Sequence, residues 1–223
     1  MLIEIPGILN TKQLVAVQSV LQQCNFTDGK LSAGDNALMY KANEELNASD
    51  DQFDALNSVV MTQLVQHPVY LNSALPAKIS LPIYARYKRG MSYGPHIDDP
   101  VMGGAKSRYR SDISITLFLN NPDDYEGGEL CIENAFGNSD IKLPAGHAVL
   151  YPSSSRHSVN PVTRGERLVA IVWVQSMVRS AEQRQILYQL SQARDQLKSE
   201  SDSSAYRQID DSYTNLVRMW ADV

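Results

Sequence analysis

His96 and Asp98 stand two residues apart in the stretch MSYGPHIDDP, and in extended backbone residues i and i+2 project to the same side. An imidazole nitrogen and a carboxylate oxygen can therefore converge on one ion, while Asp99 points away. The chain has four histidines, and His157, in SSSRHSVNP, is placed to bring a second imidazole from a distant strand. Two neutral nitrogens and one carboxylate on one face leave positions open for a bidentate co-substrate and O2, the arrangement that mononuclear non-haem Fe(II) oxygenases use. A lone His-x-Asp is also common in surface ion pairs and turns, so the pair does not decide by itself. Arg167 does. It heads RLVAIVWVQ and shares a strand face with Val169, Ile171 and Trp173. A guanidinium on the inner face of a small β-sandwich needs an anion, because an unpaired buried charge costs several kcal/mol. The distal carboxylate of 2-oxoglutarate would meet it bidentately.

These side chains need strands to hold them, and the period of the sequence supplies them. From Ile79 to about Gln175 apolar residues alternate in short runs, ISLPIYARYK, SDISITLFLN, GELCIEN, SDIKLP, AVLYP and RLVAIVWVQ, separated by turn residues such as Gly127-Gly128 and Pro144-Ala145-Gly146. In SDISITLFLN, Ile113, Ile115, Leu117 and Leu119 share one face, and Asp112, Ser114, Thr116 and Phe118 the other. Many short strands with no helices between them predict an antiparallel sandwich or jelly roll. On either side the period is helical. Leu14, Val15, Val17 and Leu21 form one stripe, and Phe53, Leu56, Val59, Val60 and Leu64 a second, with Ser49 and Gln52 as its capping box and Pro68 closing it. After Met177, Ser180 and Gln183 repeat the capping pattern before Ile186, Leu187, Leu190 and Leu197. The polar stretch KSESDSS then separates a last segment holding Tyr206, Ile209, Tyr213, Leu216, Val217 and Trp220.

The expected fold is mainly β with helices, an α+β chain. It has three parts: a helical region over 1–78 packing on the core, a β core over 79–177, and a small helical module over 178–223.

With 43% hydrophobic and 20% charged residues in 223, the chain has enough apolar surface for a core and too little charge excess for disorder. A net charge of −5 argues against a phosphate-binding surface, so no nucleic-acid partner is expected. Cys24 and Cys131 belong to no CxxC pair and read as reduced thiols. The N-terminal MLIEIPGILNTKQ lacks the pattern of an export signal, and the longest apolar run, Leu168 to Val174, has the length of a buried strand. A cytoplasmic chain with no membrane partner is expected.

Taken together, RYKRGMSYGPHIDDPVM, RSDISITLFLNNPDDYEGGEL, LPAGHAVLYPSSSRHSVNPVTRGERLVAIVW and the helical tail resemble the PKHD-type hydroxylases. These are iron- and 2-oxoglutarate-dependent enzymes related to prolyl 4-hydroxylases. The resemblance implies a double-stranded β-helix, with His96, Asp98 and His157 as ligands of Fe(II) and Arg167 as the anchor of 2-oxoglutarate. It also implies Tyr87 as a hydrogen-bond partner of 2-oxoglutarate. The implied reaction consumes O2, decarboxylates 2-oxoglutarate to succinate, and hydroxylates a small molecule or peptide, with L-ascorbate as reductant. An iron- or siderophore-linked substrate and a homo-oligomer are further expectations. Demethylation or desaturation would use the same site, and a cupin-like metal-binding module is the rival from another class. Such a module has no need of Arg167. Among the other candidates, His147 reads as a turn histidine, His67 as a partner of a helix C-terminus, Arg89 and Arg110 as solvated strand-end arginines, and DDYEGGEL as a turn.

Overall fold

The computed structural model describes residues 1–32 and 39–222. The first third of the chain holds β1 (Ile3–Ile5), α1 (Thr11–Gln22), β2 (Asn25–Asp28), β3 (Lys41–Ala42), β4 (Glu44–Asn47), α2 (Asp50–Gln66) and α3 (Pro68–Ala74). Next come β5 (Pro76–Ile79), β6 (Ile83–Lys88), β7 (Ser92–His96), β8 (Val101–Met102), β9 (Tyr109–Arg110), β10 (Ile113–Phe118), β11 (Tyr125–Gly127) and β12 (Leu130–Asn134). The remainder holds β13 (Gly137–Ile141), β14 (Ala148–Pro152), β15 (His157–Val159), β16 (Val162–Ser176), α4 (Ala181–Gln196) and α5 (Ser204–Trp220).

Two antiparallel sheets face each other. The larger follows the order β1-β14-β10-β16-β6-β4-β2, with β5 and β11 also paired to β16; the smaller follows β13-β12-β15-β7-β3. The long strand β16, of 15 residues, pairs with β10 on one side and β6 on the other.

The alternation of β10 has the expected outcome. Ile113, Ile115, Leu117 and Leu119 join Val17, Leu21, Leu56, Val60 and Leu64 in the core between the large sheet and helices α1 and α2. Phe118 turns the other way, into the core between the sheets, with Tyr87, Leu130, Val149, Tyr151, Val159 and Val169. Each fully buried side chain of this size contributes roughly 1.5–3 kcal/mol, so the large sheet is held on both faces.

The helices begin where their caps are. Asn10 with Gln13, and Ser49 with Gln52, form reciprocal capping boxes, and Ser180 and Ser203 accept from backbone N–H groups of α4 and α5. The last two helices pack on each other and around Leu75, Val178 and Leu187, with Tyr213, Leu216, Val217 and Trp220 against that cluster. Ile186, counted in the apolar stripe, is exposed. No helix among the described residues is long and apolar enough to cross a membrane.

The helical reading of 1–78 missed strands β1 to β4 and most of β5. The strands β1 to β4 are two to four residues long, and several of their residues are exposed, so they carry no period of their own. Neighbours make them strands: β1 adds to β14, β4 to β6 and β3 to β7. Because β3 belongs to the small sheet and β4 to the large one, the chain crosses between the sheets at Asn43 and closes one side of the space between them.

Candidate metal and co-substrate site

Antiparallel register brings the two imidazoles together, since β15 pairs with β7 so that His157 lies opposite His96. Their rings are 4.2 Å apart between centroids, and Asp98 follows two residues after His96 at the end of β7. One oxygen of Asp98, Oδ1, is 3.9 Å from Nε2 of His96 and 3.8 Å from Nε2 of His157. Ligand atoms of these three residues all lie within 4.8 Å of one another, close enough to hold one metal ion.

Hydrogen bonds fix the direction each group faces. Nδ1 of His96 lies 2.8 Å from the Gly94 carbonyl, and Nδ1 of His157 lies 3.0 Å from the Ser155 carbonyl. A carbonyl only accepts, so both Nδ1 atoms carry the proton and both Nε2 lone pairs are turned inward. Burial and the neighbouring His157 lower the pKa of His96 to about 4, against the opposing pull of the Gly94 carbonyl and Asp98. The ring is therefore neutral at pH 7, as a ligand must be. Tyr93 stacks on it at 3.7 Å, and Tyr151 meets His157 edge-on at 5.1 Å. The second oxygen of Asp98, Oδ2, accepts from the Trp173 indole at 3.0 Å and from the Ser114 hydroxyl.

Arg167 points into the same cavity and is 1% exposed. Its guanidinium carbon lies 5.0 Å from the Tyr87 ring centre and 5.5 Å from that of Phe118, and its Nε and Nη1 make no hydrogen bond among the described residues. Gly128 makes room for it: a Cβ there would sit 3.2 Å from Arg167 Cδ and 3.0 Å from both Tyr125 and Val162, at a φ of +68° that favours glycine. Tyr87 is fully buried beside Arg167, and burial pushes its phenol up to about 12, so it stays a hydrogen-bond donor. The cavity has a volume of about 900 Å³ and runs from the His96–Asp98–His157 cluster to Arg167. Tyr40, Tyr93, Pro95, Ile97, Val101, Met102 and Tyr109 line it as well, together with Lys41 and Glu45, whose charged groups lie 2.5 Å apart.

The structure thus gathers all five sequence-derived site residues, His96, Asp98, His157, Arg167 and Tyr87, into one cavity. The secondary candidates lie elsewhere. His147 stands in the turn before β14, away from the cavity lining. His67 ends α2, as expected, and also caps α3, with Nδ1 accepting from the Val69 N–H and Nε2 facing the Pro6 carbonyl. Arg110 pairs bidentately with Asp112 at 2.5 and 2.8 Å. DDYEGGEL forms a short 3-10 turn, strand β11 and two glycines at positive φ.

Sequence reasoning missed the roles of Ser114 and Trp173 on Asp98. A signal existed: Ser114 and Thr116 are polar residues on the inward face of a strand buried along its whole length.

Residues 82–175 match the 2OG-Fe(II) oxygenase superfamily. A PKHD-type hydroxylase of Thioalkalivibrio sulfidiphilus is 49% identical over 224 aligned positions, covering 100% of both chains. Among solved structures, a prolyl hydroxylase of Trichoplax adhaerens in complex with a hypoxia-inducible factor peptide fragment is similar at a TM-score of 0.57 and 19% identity. That match covers 78% of this chain and 83% of that one. A prolyl-4-hydroxylase of Pseudomonas putida gives a TM-score of 0.51 and 19% identity, covering 78% of this chain and 92% of that one. These structural likenesses establish the double-stranded β-helix fold. With near-half identity along its whole length, the chain belongs to the PKHD-type hydroxylases, 2-oxoglutarate-dependent enzymes of the 2OG-Fe(II) oxygenase superfamily.

Proposed function

We propose that His96, Asp98 and His157 bind the Fe(II) of this hydroxylase, and that Arg167 and Tyr87 bind the distal carboxylate of 2-oxoglutarate in the same cavity. The observation that carries this reading is the buried guanidinium edge of Arg167, whose Nε and Nη1 make no hydrogen bond among the described residues, because leaving buried donors without an acceptor is costly and a bound anion would supply one. The donor set suits the metal: two imidazoles and a carboxylate favour Fe(II) with open positions over a closed zinc site. When bound, the iron and 2-oxoglutarate supply the activation of O2 that puts a hydroxyl on the substrate.

The chain's own part is to hold and exclude. Nε2 of each histidine is presented as a lone pair by the bond its Nδ1 makes to a carbonyl. Leu130, Val159 and Ile171 line the same cavity, and such apolar walls would keep water from the reacting groups. Tyr40, Pro95, Ile97 and Val101 form a rim of apolar and aromatic groups where a substrate, small molecule or peptide segment, would present an unactivated C–H. L-Ascorbate as external reductant and an iron- or siderophore-linked substrate belong to the same proposal and rest on the family resemblance; a cytoplasmic location is proposed with them from the N-terminal sequence pattern.

Anaerobic titration of the Fe(II)-loaded protein with 2-oxoglutarate tests the reading. A visible charge-transfer band that saturates at one equivalent is expected, and its absence would overturn it. A screen of candidate substrates for a mass gain of one oxygen, matched to succinate release, would then define what is hydroxylated.

A further inference from the structure

The two oxygens of Asp98 have different surroundings. Oδ1 faces the Nε2 atoms of His96 and His157 at 3.9 and 3.8 Å. Oδ2 is turned away and accepts two hydrogen bonds, from the Trp173 indole N–H at 3.0 Å and from the Ser114 hydroxyl. The Ser114 hydroxyl is itself backed by the Ser153 hydroxyl at 2.7 Å, with Ser114 fully buried and Ser153 nearly so. A carboxylate oxygen offers about two lone-pair directions, so two donors occupy Oδ2. An indole N–H can only donate, which leaves Trp173 no role on this group other than to hold an acceptor oxygen in place.

We propose that Trp173 and Ser114 are positioning residues that restrict Asp98 to one metal-binding oxygen and thereby keep open the positions that 2-oxoglutarate and O2 require. The inference rests on the assignment of His96, Asp98 and His157 as ligands and adds to it how many positions they fill. A six-coordinate ion with three protein atoms has three places left, two for a chelating co-substrate and one for O2. Were Oδ2 free to swing onto the ion, the carboxylate would chelate and one of those places would close. Hydrogen bonds to a charged oxygen in a buried pocket are strong enough to oppose this. Trp173 and Ser114 sit on neighbouring strands directly opposite each other in register, so the large sheet itself sets the spacing of the two donors.

The test uses Co(II) as a spectroscopic stand-in for Fe(II), titrated into the metal-free full chain under argon and followed by 2-oxoglutarate. Wild type is compared with Trp173→Phe, which keeps an aromatic ring and removes the donor, with Ser114→Ala, and with the double variant; thermal melting confirms that each is folded. Co(II) affinity should stay within about threefold of wild type, while the visible Co(II) spectrum changes before 2-oxoglutarate is added. 2-Oxoglutarate affinity should fall about tenfold in each single variant and further in the double. Two results would overturn the proposal: an unchanged spectrum with unchanged 2-oxoglutarate affinity in the double variant, or Co(II) affinity falling as far as that of 2-oxoglutarate. The second would mean that the bonds merely keep the carboxylate in place. Equal Co(II) binding by wild type and Asp98→Ala would instead remove the ligand assignment, and the proposal with it.

Discussion

The two ends of the cavity are built on opposite rules. At the His96–Asp98–His157 end each group is oriented by a bond to something that is not the ligand: two backbone carbonyls, an indole and a hydroxyl. At the Arg167 end the guanidinium is packed against rings and against the bare face of Gly128, and its Nε and Nη1 make no hydrogen bond among the described residues. The first end is oriented by the fold itself, so little ordering would remain to oppose binding of the proposed metal. The second end is completed only by an anion. The metal site should therefore tolerate loss of the co-substrate anchor, whereas the anchor has no purpose without the metal site.

Substitutions can separate the two ends. The largest effect is expected at the proposed ligands: Asp98→Ala or His157→Ala should weaken Fe(II) by about a thousandfold or more, since each removes one of only three protein ligand atoms from the site. His147→Ala should change nothing, and anaerobic metal titration measures all three. Next comes proton competition at the same end. The pKa of His96 is lowered to about 4 in the fold from an ordinary value of 6.5, so between these values the unfolded chain binds more protons. The associated stability, about 3 kcal/mol, is present above pH 6.5 and is lost as pH falls toward 4. Urea unfolding of metal-free protein across that window should show the slope, and His96→Gln should flatten it.

At the opposite end, Arg167→Ala should weaken 2-oxoglutarate about a hundredfold with iron still bound, and Arg167→Lys should restore part of the loss by keeping charge without the planar fork. A parallel loss of iron would erase the distinction between the ends. The smallest effect is assigned to Gly128→Ala. It forces a Cβ against Arg167, Tyr125 and Val162 at positive φ, and should lower stability by about 1–2 kcal/mol and weaken 2-oxoglutarate while sparing metal affinity. Thermal melting with the same titrations would resolve it.

What could be read from the residues in advance follows the same division. The convergence of the proposed ligands was legible because period two is a strong constraint: His96 and Asp98 share a side in extended backbone, and Arg167 shares one with Trp173. The β10 alternation was legible for the same reason. Ser114 and Trp173 as partners of Asp98 were not, because that contact depends on how β10 and β16 sit across from the end of β7, which no local pattern encodes. The short strands β1 to β4 escaped because pairing, and no periodicity of their own, makes them strands. His67 was read only as the partner of a helix C-terminus because its second place, at the start of α3 where its ring accepts from the Val69 N–H, is not marked by the residues before it.

Strand β16 carries the proposed anchor and the proposed carboxylate clamp on one backbone, with Arg167 and Trp173 both of odd number along an unbroken pairing with β10 and β6. This imposes a parity rule on how such a site can change over evolution. Gaining or losing one residue between them would turn one side chain into the helix-facing core while the other stayed in the cavity. Only changes by two preserve both orientations, and each would move the anchor about 6–7 Å along the strand relative to the clamp. Adapting this cavity to co-substrates of different length is therefore a stepwise problem, solvable in jumps of one pleat or by moving the cation to another strand.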